Sequence, residues 1–198
     1  LNPSESPFAV AIEGSGFFKV RTENGEIQYT RDGNFAVSPV EGGTMLCTSD
    51  GKPVLDQYNN TIIIPAGLNA TTIGIATDGR ITLNSANDEQ VDLVRTDANG
   101  NTLYNVQIGV VQFNNPAGLE KSSGNCYRQT VASGTPMEES QSQNLTRSAL
   151  HHKYIEASNV QVADEMVNLI VAQRAYQMNS KVIQASDEML EQANNLRR

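Results

Sequence analysis

Tryptophan is absent from the 198 residues, and the other aromatics are few, 5 Phe and 6 Tyr. Sugar-binding grooves stack aromatic rings on pyranose faces, so that class of site is disfavoured. Basic residues are also scarce: 14 Lys and Arg stand against 22 Asp and Glu, a formal net charge of −8. A duplex binder needs a basic stripe to displace phosphate counterions; none is present, and nucleic acid is excluded as a partner. No window approaches about 18 consecutive apolar residues, so no membrane insertion is expected. The only histidines, His151 and His152, are adjacent, and Cys47 and Cys126 lie far apart. Side chains one residue apart do not converge on one metal, so no zinc set of ordinary spacing assembles. The two cysteines read as small buried hydrophobes; a disulfide requires the fold to bring them together.

The signatures of catalysis are missing in the same way. Gly14-Ser15-Gly16 lacks the third glycine opening a helix, and the strand-like Phe17-Phe18-Lys19-Val20 follows it. Asp97 to Asn101 imitates the start of a calcium loop, but its twelfth position is Ile108 rather than Glu. No Gly-x-Ser-x-Gly elbow and no Cys–His nucleophile pair occurs. No catalytic, cofactor-binding or metal-ligating residue is assigned, and an enzyme is not expected. Carboxylates scattered at turns keep a hydrolase as a remote alternative.

What is present divides by texture. Residues 1–7 read as coil, and 8–136 as a β-rich domain. Short apolar runs alternate with Asn24-Gly25, Asp32-Gly33, Asp50-Gly51, Asp78-Gly79 and Asn99-Gly100. Such dipeptides accept positive φ at both centres of a two-residue hairpin, which predicts antiparallel β structure. Ile62-Ile63-Ile64 and Val106 to Phe113 are the most apolar runs and are expected to be central strands. From about residue 114 to 155 the chain is rich in Ser, Gly, Asn, Gln and Thr. It buries little by itself, and 137–157 is expected to be a connector.

From Ser158 to Arg198 neither Pro nor Gly occurs, and one long C-terminal helix is predicted over 158–198. Ser158 and Gln161 form a capping-box N-terminus; Arg197 and Arg198 complement the dipole at the other end. At 1.5 Å per residue the rod is roughly 55 Å long. The predicted fold class is therefore mainly β, antiparallel and hairpin-rich, plus one long C-terminal α-helix. Spaced at 100°, Val162, Leu169, Tyr176, Ile183 and Leu190 form one apolar seam. Val171, Ala175, Met178, Val182, Ala185, Met189 and Leu196 form a second, with the mostly small Ala172, Asn179, Ser186 and Ala193 between them. Gln173, Gln177, Lys181, Gln184, Glu188 and Gln192 make a wet strip. A domain of about 130 residues is only some 30–35 Å across, so its own globule is not expected to cover such a helix. Leaving five seam residues exposed forgoes on the order of 10 kcal/mol. The seams are expected to be an assembly interface with partner helices.

Three stretches resemble one family: Ala11 to Val20 (AIEGSGFFKV) continuing to Tyr29–Phe35 (YTRDGNF); Phe113–Leu119 (FNNPAGL) with Gly124–Pro136 (GNCYRQTVASGTP); and Glu156 to Leu190. Thr48 to Leu55 (TSDGKPVL) adds to them. In this order they resemble the bacterial flagellar basal-body rod and hook proteins, and Gln173 to Lys181 is most similar to the distal-rod branch. The resemblance implies export through the flagellar type III apparatus and localisation to the basal body. It also implies self-polymerisation into a torque-transmitting shaft across the periplasm. The implied partners are other copies, adjoining rod and hook subunits, and the surrounding ring bushing. It further implies an N-terminal helical segment as partner of the C-terminal helix, which this sequence does not contain. Hook or proximal rod membership, or a β-rich oligomeric adhesin or phage-tail-like module, stands as the alternative.

Overall fold

The computed structural model describes residues 1–85, 89–96, 101–142, 145–157 and 162–195. The chain forms two compact units, Leu1–Ala157 and Ser158–Arg198. The first is antiparallel β throughout its ladders, the second a single helix, Val162–Asn195. The predicted fold class, mainly β with one C-terminal helix, is the observed one.

A six-stranded sheet runs in the order Glu120–Lys121, Cys126–Arg128, Ile27–Thr30, Phe17–Arg21, Val110–Gln112, Met137–Glu138. Two three-stranded sheets accompany it. One joins Phe35–Val40, Gly43–Thr48 and Ile63–Pro65; the other joins Leu68–Ile75, Ile81–Ser85 and Gln90–Asp92. Between them lies a core that includes Phe18, Val20, Leu46, Val54, Ile81 and Leu83. A smaller aromatic cluster holds Phe17, Tyr29, Val111 and Phe113, with the Tyr29 and Phe113 rings edge-to-face at 4.8 Å.

The turn glycines act differently from the two-residue prediction. Three loops share one geometry: Thr22–Glu26, Thr48–Lys52 and Ala76–Arg80. In each the glycine N–H donates to the residue three before it: Gly25 to Thr22, Gly51 to Thr48, Gly79 to Ala76, all at 2.9 Å. Only the glycine takes positive φ, at 81°, 82° and 85°, while Asn24, Asp50 and Asp78 do not. These are three-residue hairpins, a type I turn followed by a left-handed glycine. Gly33 serves close approach instead, since a Cβ there would collide with the Val10 carbonyl. Asn99-Gly100 lies outside the described residues.

Three other expectations are corrected. Ile62–Ile64 is not a central strand: Ile63–Pro65 is the edge of its sheet, with Ile62 and Ile64 buried and Ile63 38% exposed. A run of three β-branched residues still obeys period-two alternation, so its middle member faces out. Residues 1–7 are not all coil, because Asn2–Pro3 pairs with Tyr154–Ile155. The polar 114–155 stretch supplies five strand segments, Ala149–His152 pairing with Val10–Glu13 among them. Cys126 and Leu150 anchor it in the main core, Leu119 and Tyr127 pack on the aromatic cluster, and hydrogen bonds hold the rest. Buried Glu139 accepts from Gln112 Nε2 (2.8 Å), Ser148 Oγ (2.8 Å) and Ser148 N (2.7 Å).

Both cysteines are free and buried. Burial raises the pKa of each thiol.

The least expected core residue is Lys19, 1% exposed. Its Nζ donates to Glu138 Oε1 at 2.5 Å and to Asn59 Oδ1 at 2.7 Å. Gly109 makes the room, since a Cβ there would strike Lys19 Cε and the Asp56 carbonyl. Burial pulls the Lys19 pKa down and pushes that of Glu138 up, so desolvation opposes both charges and their mutual contact offsets it. Breaking such a pair strands one buried charge. We predict that Lys19→Met alone lowers unfolding free energy by about 3 kcal/mol, while Lys19→Met with Glu138→Met restores most of the loss. Urea titration checks this; equal losses in both variants would refute it.

Tyr29 is pushed up to about 12, first by burial and then by the Glu138 charge. Its folded pKa lies above the unfolded value near 10, so the neutral phenol stabilises the fold fully below that pH. The contribution, about 2–3 kcal/mol, is lost as pH rises from 10 to about 12. Tyr29→Phe should flatten the fall in urea midpoint over that window, and an unchanged slope would count against it.

Candidate assembly interface

The helix Val162–Asn195 is continuous over 34 residues. At 1.5 Å rise it spans roughly 51 Å. Its sequence explains its persistence: Ala, Leu, Met, Gln, Glu and Lys dominate, all strong helix formers, with neither Gly nor Pro. Ser186, which would compete for backbone bonds, donates its hydroxyl to the Val182 carbonyl at 2.9 Å and stays within the helix.

Every described side chain from Glu165 to Gln192 is exposed. Leu169, Tyr176, Ile183 and Leu190 of the first seam, and Val171, Met178, Val182 and Met189 of the second, are between 61% and 77% exposed. Ala175 and Ala185 are exposed with them. The structure thus presents both rows as bare apolar surface on one continuous helix. Ser158, Gln161 and Leu196 lie outside the described residues, as does the side chain of Val162.

The sequence reading missed one feature. Met166 (62% exposed), Val167 and Ile170 add apolar groups to the first turns, and Met166 and Ile170 sit in line with the later wet strip. That strip begins only at Gln173; in the first turns the polar residues Asp164, Glu165 and Asn168 lie on another side, between the directions of the two seams. The signal is in the residues themselves, since only there do apolar groups occupy the side of the wet strip.

Elsewhere the geometry offers little chemistry. Gly14-Ser15-Gly16 joins two strands and opens no helix. His151 Nε2 meets Glu13 Oε2 at 2.6 Å, and His152 Nε2 meets the Pro7 carbonyl at 2.7 Å, so the two rings engage different segments. Among the described residues no group of three or more His, Cys, Asp or Glu is placed to hold a metal ion. A cavity of about 540 Å³ beside Arg21, Lys52 and Arg128 is lined by charges that already pair, Arg128 with Glu26 and Lys52 with Asp50.

Residues 151–196, which include the bare helix, match the family model described as flagellar basal body rod FlgEFG protein C-terminal. Residues 11–83 match the flagellar hook protein FlgE/F/G D1 domain. The flagellar basal-body rod protein FlgG of Buchnera aphidicola (subsp. Acyrthosiphon pisum) is 39% identical over 196 residues, 99% of this chain and 67% of that protein. The chain belongs to the flagellar basal-body rod and hook family. The FlgG of Bacillus subtilis is 39% identical over 189 residues, 96% of this chain and 65% of the relative. The flagellar hook-basal body complex protein FlhP of the same organism is 32% identical over 177 residues, 88% of this chain and 59% of that protein. The chain thus spans about two thirds of the length of the FlgG relatives. The first model takes in the helix together with the last residues of the β unit, 151–157, and the second covers the first half of that unit.

A helix so exposed should associate. We predict that the purified chain sediments as concentration-dependent oligomers, and that Leu169→Lys with Ile183→Lys returns it to monomer. A parent chain monomeric at every concentration would show the seams to be inert.

Proposed function

We propose that this chain is a non-catalytic structural subunit of the flagellar basal-body rod, in its distal part. It polymerises helically into a drive shaft that carries torque from motor to hook. The observation carrying this reading is the pair of apolar seams, bare along a helix of roughly 51 Å. Two seams separated by small residues suit a neighbour on each side, as in a tube of parallel helices. Burying four large apolar groups of one seam stabilises by about 6–12 kcal/mol before association costs. Torque then passes through side-to-side packing, and no reacting group is required. The FlgG relatives support the distal-rod assignment. The partners follow from it: copies of the chain, the adjoining rod and hook subunits, the ring bushing, and the type III export apparatus. Its location is the flagellar basal body.

The similarity to a hook-basal body complex protein favours a second reading, a hook-side subunit of the same axial structure. Electron microscopy of polymers separates the two, since straight tubes fit a rod and curved tubes a hook.

Ile183 sits mid-seam and 63% exposed. Introduced into the complete protein, Ile183→Asp should block rod assembly and motility while the β unit keeps its circular dichroism and urea midpoint. Normal swimming by cells carrying that variant would overturn the proposal.

A further inference from the structure

The β unit's first and last segments are held together by an unusual number of polar fasteners. Ala149–His152 pairs with Val10–Glu13, and Tyr154–Ile155 pairs with Asn2–Pro3. Between these two ladders stands Lys153 at φ 62°, a left-handed conformation that costs a non-glycine residue about 1 kcal/mol or more. Its backbone is bonded on both sides: Lys153 N donates to the Ala9 carbonyl, and Ser4 N donates to the Lys153 carbonyl, each at 2.8 Å. Both histidines of the chain directly precede it. The Pro7 carbonyl can only accept, so His152 Nε2 carries the proton in that contact.

Arg31 closes the set. Its Nη1 donates to the Gly14 and Gly16 carbonyls at 2.9 and 3.0 Å, and its Nη2 to the Ile12 carbonyl at 3.3 Å. Its Nε donates to Glu156 Oε2 at 2.9 Å. One planar fork thereby binds the turn that ends the entry strand and the residue next to the end of the β unit, Ala157. Lysine, a single point charge, cannot hold four acceptors in that plane.

We propose that Arg31 is a positioning latch: with Glu156 it pins the exit segment of the β unit onto its entry strands. Under the rod reading, load drawn along the chain from the helix enters the β unit at residue 157. A pull there unzips the two-residue Tyr154–Ile155 ladder one pair at a time, the weak direction for a hairpin. Glu156 lies where that peeling begins. Arg31 diverts the force into the six-stranded sheet, because it directly follows the inner strand Ile27–Thr30. The mechanical consequence rests on the rod reading; the latch itself does not.

Amide hydrogen exchange on the chain in solution tests it without any assembly, so failure of the rod reading leaves the result interpretable. Glu156→Gln removes one partner and keeps the three carbonyl contacts of Arg31. It should speed exchange at the Lys153 and Ser4 amides by about two- to fivefold, the range for a partly exposed ion pair. Arg31→Lys, which loses the fork, should speed them by about tenfold. The Leu46 amide, bonded to the Ile62 carbonyl in the core, should keep its parental rate. Parental exchange at Lys153 and Ser4 in both variants would mean that Arg31 only staples the Ile12–Gly16 turn. An equal rise at Leu46 would mean a general loss of stability. Either result overturns the latch.

Discussion

A single helix of 34 residues buries nothing of itself. Its backbone bonds are internal, but each apolar side chain stays in water until another element arrives. Propensity alone gives little, because most helical stability in proteins comes from packing an apolar face. In this chain that face is doubled, and in the first turns Met166 and Ile170 widen it onto the side that later carries the wet strip. The rod reading follows from this constraint. Surface of this kind is a stable design only in a molecule whose finished state is an assembly.

The β unit obeys the opposite rule and satisfies itself. Its apolar residues close into one main core and one aromatic cluster. Its buried polar groups are mostly provided for: Lys19 by Glu138 and Asn59, Glu139 by Gln112 and Ser148, and Asp56 by the Tyr58 and Asn60 amides and the Tyr104 hydroxyl. A unit closed in this way can be carried on a polymerising helix without recruiting partners of its own. The antiparallel pairing of Asn2–Pro3 with Tyr154–Ile155 brings entry and exit to one place.

Much of this was legible in the residues. Strand texture, the turn dipeptides and a proline- and glycine-free tail are local signals, and local signals survive without knowledge of contacts. The seams were legible for the same reason, since a helix fixes the angle of every side chain. The polar 114–155 stretch was not, because its place depends on partners elsewhere in the chain, as Gln112 donates to Glu139 and to the Thr146 carbonyl. Nor was the edge position of Ile63–Pro65, since apolar content does not say which neighbour a strand finds. The first turns of the helix were misread because a seven-residue repeat taken along its whole length hid a local exception at Met166 and Ile170.

The sequence by itself determined the class of each half, the positions of the apolar rows and the family, because periodicity and motif are properties of neighbours along the chain. Only the tertiary structure decided that Lys19 is buried against Glu138, or that Arg31 reaches from the Gly14–Gly16 turn to Glu156. It alone turned the two adjacent histidine rings toward different segments, His151 to Glu13 and His152 to the Pro7 carbonyl. Those contacts join residues as many as 145 positions apart, and burial and pairing at such separations are fixed by the whole fold rather than by any stretch of it.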